Sequence, residues 1–365
     1  MTRLALALSL AVCALPLQAA DTPDPDRAEF NALSPVINAL IQAEGPVELM
    51  ERAEALEDEN LLQALTLYIT VARERPNSLA SYKAASLLAR RGDDDAALIY
   101  LEIADERGVL FPLQLTENPD FDDLRQTPIY LAALANAQRS YDLISPSLVG
   151  ATGGVLLPGA DTGPAACRPV VVWLHGYGSN GFMHEGFQPL ADAGAILLGI
   201  NGTEMLDSHT SFRWSSNGFE QTHVAVQKQL DALAKKACID RKRVYLMGFS
   251  QGALHGGALL AQHPEAYAGA LLMSPGGRQP NPTTSKARGK RVVVINGEQE
   301  GPGNLQRAEA FRTLFGSGNE VQSRVHDGEH EFPDDWQRSL PAALRWMMES
   351  GAPAAHPRSV APPST

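Results

Sequence analysis

Ser250 stands at the centre of Gly248-Phe249-Ser250-Gln251-Gly252, after the mostly apolar run Arg243–Met247 and before a helix-like stretch from Ala253 to Gln262. A serine between glycines, with a strand before it and a helix after it, matches a sharp turn that lifts Oγ clear of a sheet edge. The chemistry such a hydroxyl could do is nucleophilic attack on a carbonyl. Serine is a weak nucleophile at neutral pH, so it needs a base, an acid to orient that base, and N–H donors for the oxyanion.

In sites of this kind the chain order is Ser, acid, His. After Ser250, the strand-like run Arg291–Asn296 ends in Gly297-Glu298-Gln299-Glu300-Gly301-Pro302. Glu298 and Glu300 both stand where an orienting carboxylate belongs. A helix-like segment from Leu305 to Phe315 and a last strand, Glu320 to Val325, lead into His326-Asp327-Gly328-Glu329-His330. His330, on a loop before a helix starting near Asp334, is the expected base. His326 is its rival, placed within the strand. His223, His255 and His263 fall on helix-like segments and read as structural. The oxyanion donors are expected at the Gln251 N–H and at the Tyr177 N–H, with Gly176 as neighbour, in the loop that follows the strand Pro169–Leu174. His175 reads as a brace for that loop.

The set Leu174-His175-Gly176-Tyr177-Gly178, Gly248-Phe249-Ser250-Gln251-Gly252 and Gly328-Glu329-His330 resembles the α/β-hydrolase serine esterases of the carboxylesterase/phospholipase type, over roughly residues 150–350. The resemblance implies an α/β-hydrolase fold, a mostly parallel sheet flanked by helices. It also implies ester hydrolysis through an acyl-enzyme, with no metal and no organic cofactor. Such enzymes usually carry Asp three residues after the glycine closing the penultimate strand. This chain has Glu300 there, which makes Glu300 the expected acid and requires a different loop path for its longer arm. A serine peptidase of the same fold and a non-catalytic scaffold are the alternatives, the second supported by the missing Asp.

Around this core, composition sets bounds. The chain has 365 residues, with 30 Lys+Arg against 42 Asp+Glu, a formal charge of −12. An acidic chain without a basic stripe is a poor partner for nucleic acid or anionic lipid. Met1-Thr2-Arg3, the apolar run Leu4–Leu17 and Gln18-Ala19-Ala20 read as an export signal over 1–20, too short to span a membrane permanently. Export would put the protein in a periplasmic or secreted setting. Cys167 and Cys238 precede two strands expected to be neighbours, so a disulfide between them is expected in an oxidising compartment. The histidines and cysteines show no zinc-like spacing.

Residues 21–145 carry Ala/Leu-rich helical periodicity and almost no strand signal. Ala85, Gly92, Ala97, Leu101 and Ala104 fall at the small-residue offsets of a tetratricopeptide-like helix pair, with Asp93 as an N-cap. The Asn118–Arg125 stretch resembles a segment that closes such arrays. This half reads as an all-α domain, serving either as a docking surface for a protein or peptide or as a plain buttress. Residues 146–350 form the catalytic domain, and 351–365, rich in Pro, Ala and Ser, a disordered tail. Trp214 is expected to line the acyl pocket or the core. Arg213 reads as a surface ion pair or a contact for an acidic substrate. The partner implied by the whole is a small-molecule ester.

Overall fold

The structure is a computed structural model that describes residues 45–74, 77–108, 110–159 and 167–349. The expected export signal and C-terminal tail lie outside the described residues. The rest divides into two compact units, one ending at Pro146 and one starting at Ser147.

The first unit is helical. Helices occupy 45–56, Leu61–Glu74, Ser78–Arg90, Asp94–Arg107 and Pro112–Thr116, followed by a 3-10 turn at Pro119–Leu124 and the helix Pro128–Leu148. Ala85, Ala97, Leu101 and Ala104 are fully buried, where small side chains let neighbouring helices approach closely. Asn77 caps its helix by accepting the Ala80 N–H at 3.0 Å. Asp93 holds the N-cap position of the next helix but makes no side-chain capping bond. Within the Asn118–Arg125 stretch, Phe121 is buried, and Asp120 pairs with Arg90 at 3.2 Å.

The second unit is built on a seven-stranded sheet. Its strands are β1 (Thr152–Leu156), β2 (Arg168–Leu174), β3 (Ile196–Ile200), β6 (Ile239–Phe249), β7 (Gly269–Met273), β8 (Arg291–Gly297) and β9 (Glu320–His326). Between them, β4 (Glu204–Ser208) and β5 (Ser211–Arg213) make a separate two-stranded ribbon. The order across the sheet is β1-β3-β2-β6-β7-β8-β9, with β1 antiparallel to β3 and every other pairing parallel. Parallel strands buried on both faces read as continuous apolar runs, which is what Val170–Leu174 and Val292–Ile295 are. Four helices cover the sheet: α1 (Glu220–Ala234), α2 (Gln251–Gln262), α3 (Pro302–Gly316) and α4 (Trp336–Met348).

Alternation along the strands sorts the core into two layers. Val170, Val172, Leu246, Leu272 and Val294 face Leu230, Leu259 and Phe311 of α1, α2 and α3. Val171, Trp173, Met247, Leu271 and Val293 face Phe187, Leu190, Leu340 and Leu344, the last two from α4. This is the mostly parallel, helix-flanked α/β-hydrolase arrangement. Among the described residues no helix is long and apolar enough to cross a membrane.

Two local features lock the centre of the sheet. Cys167 and Cys238 form a disulfide beside the paired starts of β2 and β6, their Cα atoms 4.6 Å apart. At the opposite end of the same strands, a Cβ on Gly252 would lie 1.9 Å from the Leu174 carbonyl oxygen. Gly252→Ala should therefore cost more than about 3 kcal/mol. Gly303→Ala, whose Cβ meets nothing within 4 Å, should be neutral or slightly stabilising; urea unfolding of the two variants checks the contrast. Reducing the disulfide, which closes a loop across a sequence separation of 71, should lower stability by about 2–4 kcal/mol in the same assay.

Candidate active site

Ser250 follows β6 directly and precedes α2, with φ 53° and ψ −120°. A non-glycine residue with positive φ is strained, and such strain persists only where the surroundings over-determine it. Here the Ser250 N–H donates to the Met273 carbonyl at 3.0 Å, and its carbonyl accepts from Gly276 N at 3.0 Å and Ala253 N at 3.0 Å. The glycines on either side are required by close approach, since a Cβ on Gly248 would lie 2.4 Å from the Gly252 backbone.

His330 lies on the loop between β9 and α4, with its Nε2 2.8 Å from Ser250 Oγ. Its Nδ1 is 3.0 Å from Glu300 Oε2. A carboxylate only accepts, so Nδ1 carries the proton toward Glu300, and Nε2 presents its lone pair to the serine hydroxyl. The Glu300 side chain is fully buried while that of His330 is 36 % exposed. The other carboxylate oxygen, Oε1, accepts the Gly297 N–H at 2.9 Å. The imidazole is thus held on one side by a fixed, desolvated acceptor and open to solvent on the other.

The structure brings Ser250, His330 and Glu300 together and leaves their rivals out. Glu298 is exposed, its N–H bound to the His326 carbonyl at 2.8 Å. His326 ends β9, and its Nδ1 accepts the Gly328 N–H at 3.2 Å. Gln251 opens α2, where first-turn amides have no carbonyl four residues back within the helix. Gly176 packs beside the serine, since its Cβ would lie 3.3 Å from Ser250 Cβ, and Tyr177 follows with an exposed ring. Among the described residues neither the Gln251 nor the Tyr177 N–H donates to another backbone group.

Of its two expected places, Trp214 takes the core. It does not line an open pocket, because it is fully buried and its polar atoms are all engaged. The indole N–H donates to the His175 carbonyl at 2.8 Å, and its backbone N–H and carbonyl meet Gln251 Oε1 at 3.0 Å and Nε2 at 2.9 Å. Trp214 therefore ties the loop after β2 to the residue following the serine. His175 braces the same loop: Nε2 accepts the Gly202 N–H at 2.8 Å, leaving Nδ1–H for the Gly176 carbonyl at 2.6 Å. Arg213 pairs with Glu204 at 2.7 Å and is buried across the β4–β5 ribbon, so its guanidinium is committed within the fold.

Sequence reading missed two neighbours of the His330 ring. The Asn304 side-chain amide, in the first turn of α3, lies 3.0 Å from His330 Nδ1, and with Nδ1 protonated it must turn its oxygen, the atom able to accept, toward the ring. Phe249 packs 5.1 Å from the His330 ring and 5.1 Å from Phe332, which in turn meets Trp173 and Trp336. The apolar spacing of Phe332 and Trp336 at i,i+4 was the available signal.

No family model matches the chain. A stretch of 133 residues is 31% identical to the protein named "Putative esterase NocK" from Nocardia uniformis subsp. tsuyamanensis, covering 34% of this chain and 37% of that one. The chain thus spans little more than a third of that relative's length. Among solved structures, the Bacillus cereus carboxylesterase is 18% identical with a TM-score of 0.41, over 53% of this chain and 93% of that chain. A carboxylesterase from Mesorhizobium loti is 21% identical with a TM-score of 0.40, over 48% and 88%. What this chain is similar to, locally in sequence and distantly in fold, is esterases.

Burial also fixes the charge state of two core histidines. Desolvation pushes His175 down to about 4, the bond to Gly176 acting against it, and pushes His255 down to about 3, against its bond to Gln279. Both folded values lie below the ordinary 6.5, so the unfolded chain takes up these protons first as pH falls. The contribution of these two residues to stability is then constant above about pH 6.5 and declines below it, by about 1.4 kcal/mol per pH unit for each histidine. Replacing His255, which bridges Thr222 and Gln279 at 2.8 and 2.9 Å, by Gln should remove one proton's worth of that slope. Urea unfolding between pH 4.5 and 7 reads the difference.

Proposed function

We propose that the protein is a serine hydrolase that cleaves carboxylic esters through an acyl-enzyme on Ser250. The reading is carried by one observation, the hydrogen-bonded series Ser250 Oγ, His330 Nε2, His330 Nδ1 and Glu300 Oε2, at 2.8 and 3.0 Å. Oγ attacks the ester carbonyl as its proton passes to Nε2. The Gln251 and Tyr177 N–H groups receive the oxyanion. Collapse breaks the bond to the alcohol, which leaves with the proton from Nε2. Water then attacks the acyl-enzyme with His330 again as base, releasing the acid and restoring the serine. Glu300 fixes the Nδ1–H tautomer and stabilises the imidazolium.

The exposed rings of Tyr177 and Phe182, on the loop that passes Ser250, are the apolar surface proposed for the acyl group in place of Trp214. The sequence of residues 1–20 supports export to a periplasmic or secreted setting. The first unit, with its small buried residues between paired helices, is proposed as a tetratricopeptide-like docking surface for a peptide.

A fluorophosphonate probe should label the wild-type protein at Ser250 and leave Ser250→Ala unlabelled. Turnover of p-nitrophenyl esters should fall by about 10³–10⁴-fold in Glu300→Gln and stay within about twofold in Glu298→Gln, whose side chain is exposed. Hydrolysis restricted to peptide amides would favour a peptidase, and an unlabelled serine a scaffold.

A further inference from the structure

Glu220 and His223 lie three residues apart in the first turn of α1, and His263 is the C-cap of α2. One carboxylate oxygen of Glu220 and one ring nitrogen from each histidine lie within 4.8 Å of one another. His263 Nε2 is 3.1 Å from Glu220 Oε2, and the two imidazoles stack with centroids 3.8 Å apart. We infer that Glu220, His223 and His263 form a binding site for a divalent transition cation of the zinc type, joining the start of α1 to the end of α2.

Two imidazoles and a carboxylate are a donor set that suits zinc, while magnesium and calcium favour oxygen ligands alone. Ligating histidines usually have the other ring nitrogen held by a second partner, as His223 does here. The Tyr267 hydroxyl lies 2.8 Å from His223 Nδ1 and takes the Gln227 amide at 3.3 Å. Glu265 Oε1 lies 3.7 Å from His263 Nδ1. For His223 the tyrosine contact leaves Nε2 as the ligand atom, and His263 Nε2 already faces the Glu220 carboxylate.

Charge and access agree with this reading. Glu220 and Glu265 bring two negative charges, and the C-terminal end of α2 adds its partial negative charge. The nearby Lys290 ammonium is held by the Pro264 carbonyl at 2.7 Å. His223 also lines an open surface cleft with Gln227, Lys228, Asp231 and Lys235, which opens that ring to solvent. Seating an ion at bond lengths of about 2.0–2.2 Å requires the stacked rings to part by side-chain rotation. The 12 residues of α2 at 1.5 Å each separate this site from Ser250 by about 18 Å. The ion would therefore fasten the helix that follows the serine and would not touch reacting atoms. The inference is independent of the hydrolase reading.

Calorimetric titration of the full, chelator-treated chain with Zn²⁺ should show one site per chain, together with a rise in the thermal midpoint. Glu220→Gln and His263→Gln should each weaken Zn²⁺ binding at least tenfold and cancel the rise, and Tyr267→Phe should weaken it about tenfold through His223. Mg²⁺ should give neither signal. Equal Zn²⁺ affinity in wild type and in both Glu220→Gln and His263→Gln, or no Zn²⁺ binding by the wild type, would overturn the site and leave only a surface His–Glu pair.

Discussion

The contact between Gly252 and the end of β2 governs the geometry of this site. α2 can begin one residue after Ser250 only because its second residue has no side chain to meet the Leu174 oxygen. That approach forces the chain to reverse at Ser250 with φ positive, a sparsely populated conformation that costs an L-residue about 1–3 kcal/mol. The same reversal turns Oγ away from the sheet and leaves the Gln251 N–H, among the described residues, without a backbone acceptor at the mouth of the helix. Backbone strain, the direction of Oγ and an amide with no backbone acceptor are thus three results of one packing constraint.

The carboxyl edge of the sheet repeats one device from strand to strand. Ser250, after β6, donates its N–H to Met273 at the end of β7. Ser274, after β7 and also at positive φ, donates to Ile295 of β8. Glu298, after β8, donates to His326 of β9. Each departing loop is therefore hooked to the end of the next strand, and Ser250, Glu300 and His330 all sit within four residues of such a hook. Under the last loop, Phe249 and Phe332 supply the apolar floor on which the imidazole rests. A side chain 36 % exposed can keep its orientation when its acceptor and its floor are both fixed in the sheet.

What was legible in the sequence was local. Gly-Phe-Ser-Gln-Gly between a strand and a helix marks the turn, and the order of Ser, acid and His follows from it. The five-residue strands Ile196–Ile200 and Gly269–Met273 were not singled out, because so short a buried run has no periodicity to separate strand from helix. Trp214 lies in a polar stretch, Arg213-Trp214-Ser215-Ser216, that does not say what its indole meets; the acceptor is the carbonyl of His175, 39 positions earlier. Glu220, His223 and His263 escaped a search by spacing for the same reason, since 40 residues separate the last two and only the packing of α1 against α2 unites them.

A glutamate where the resemblance leads one to expect aspartate shows how a fold absorbs a longer arm. One extra methylene would carry a carboxylate past the imidazole if the side chain ran straight out from the loop. Instead Glu300 folds back: Oε1 takes the N–H of Gly297, three residues earlier, and only Oε2 reaches Nδ1 of His330. Gly297 is suited to this, since a Cβ there would lie 2.2 Å from the Gly328 and Glu329 carbonyls, so the backbone of the His330 loop can pass directly over it. The bare glycine brings the histidine loop down while its N–H draws the glutamate up, and the two movements meet at the ring nitrogen. Full burial of the Glu300 side chain then leaves the carboxylate no competing water, which strengthens a charge-assisted bond at ordinary length.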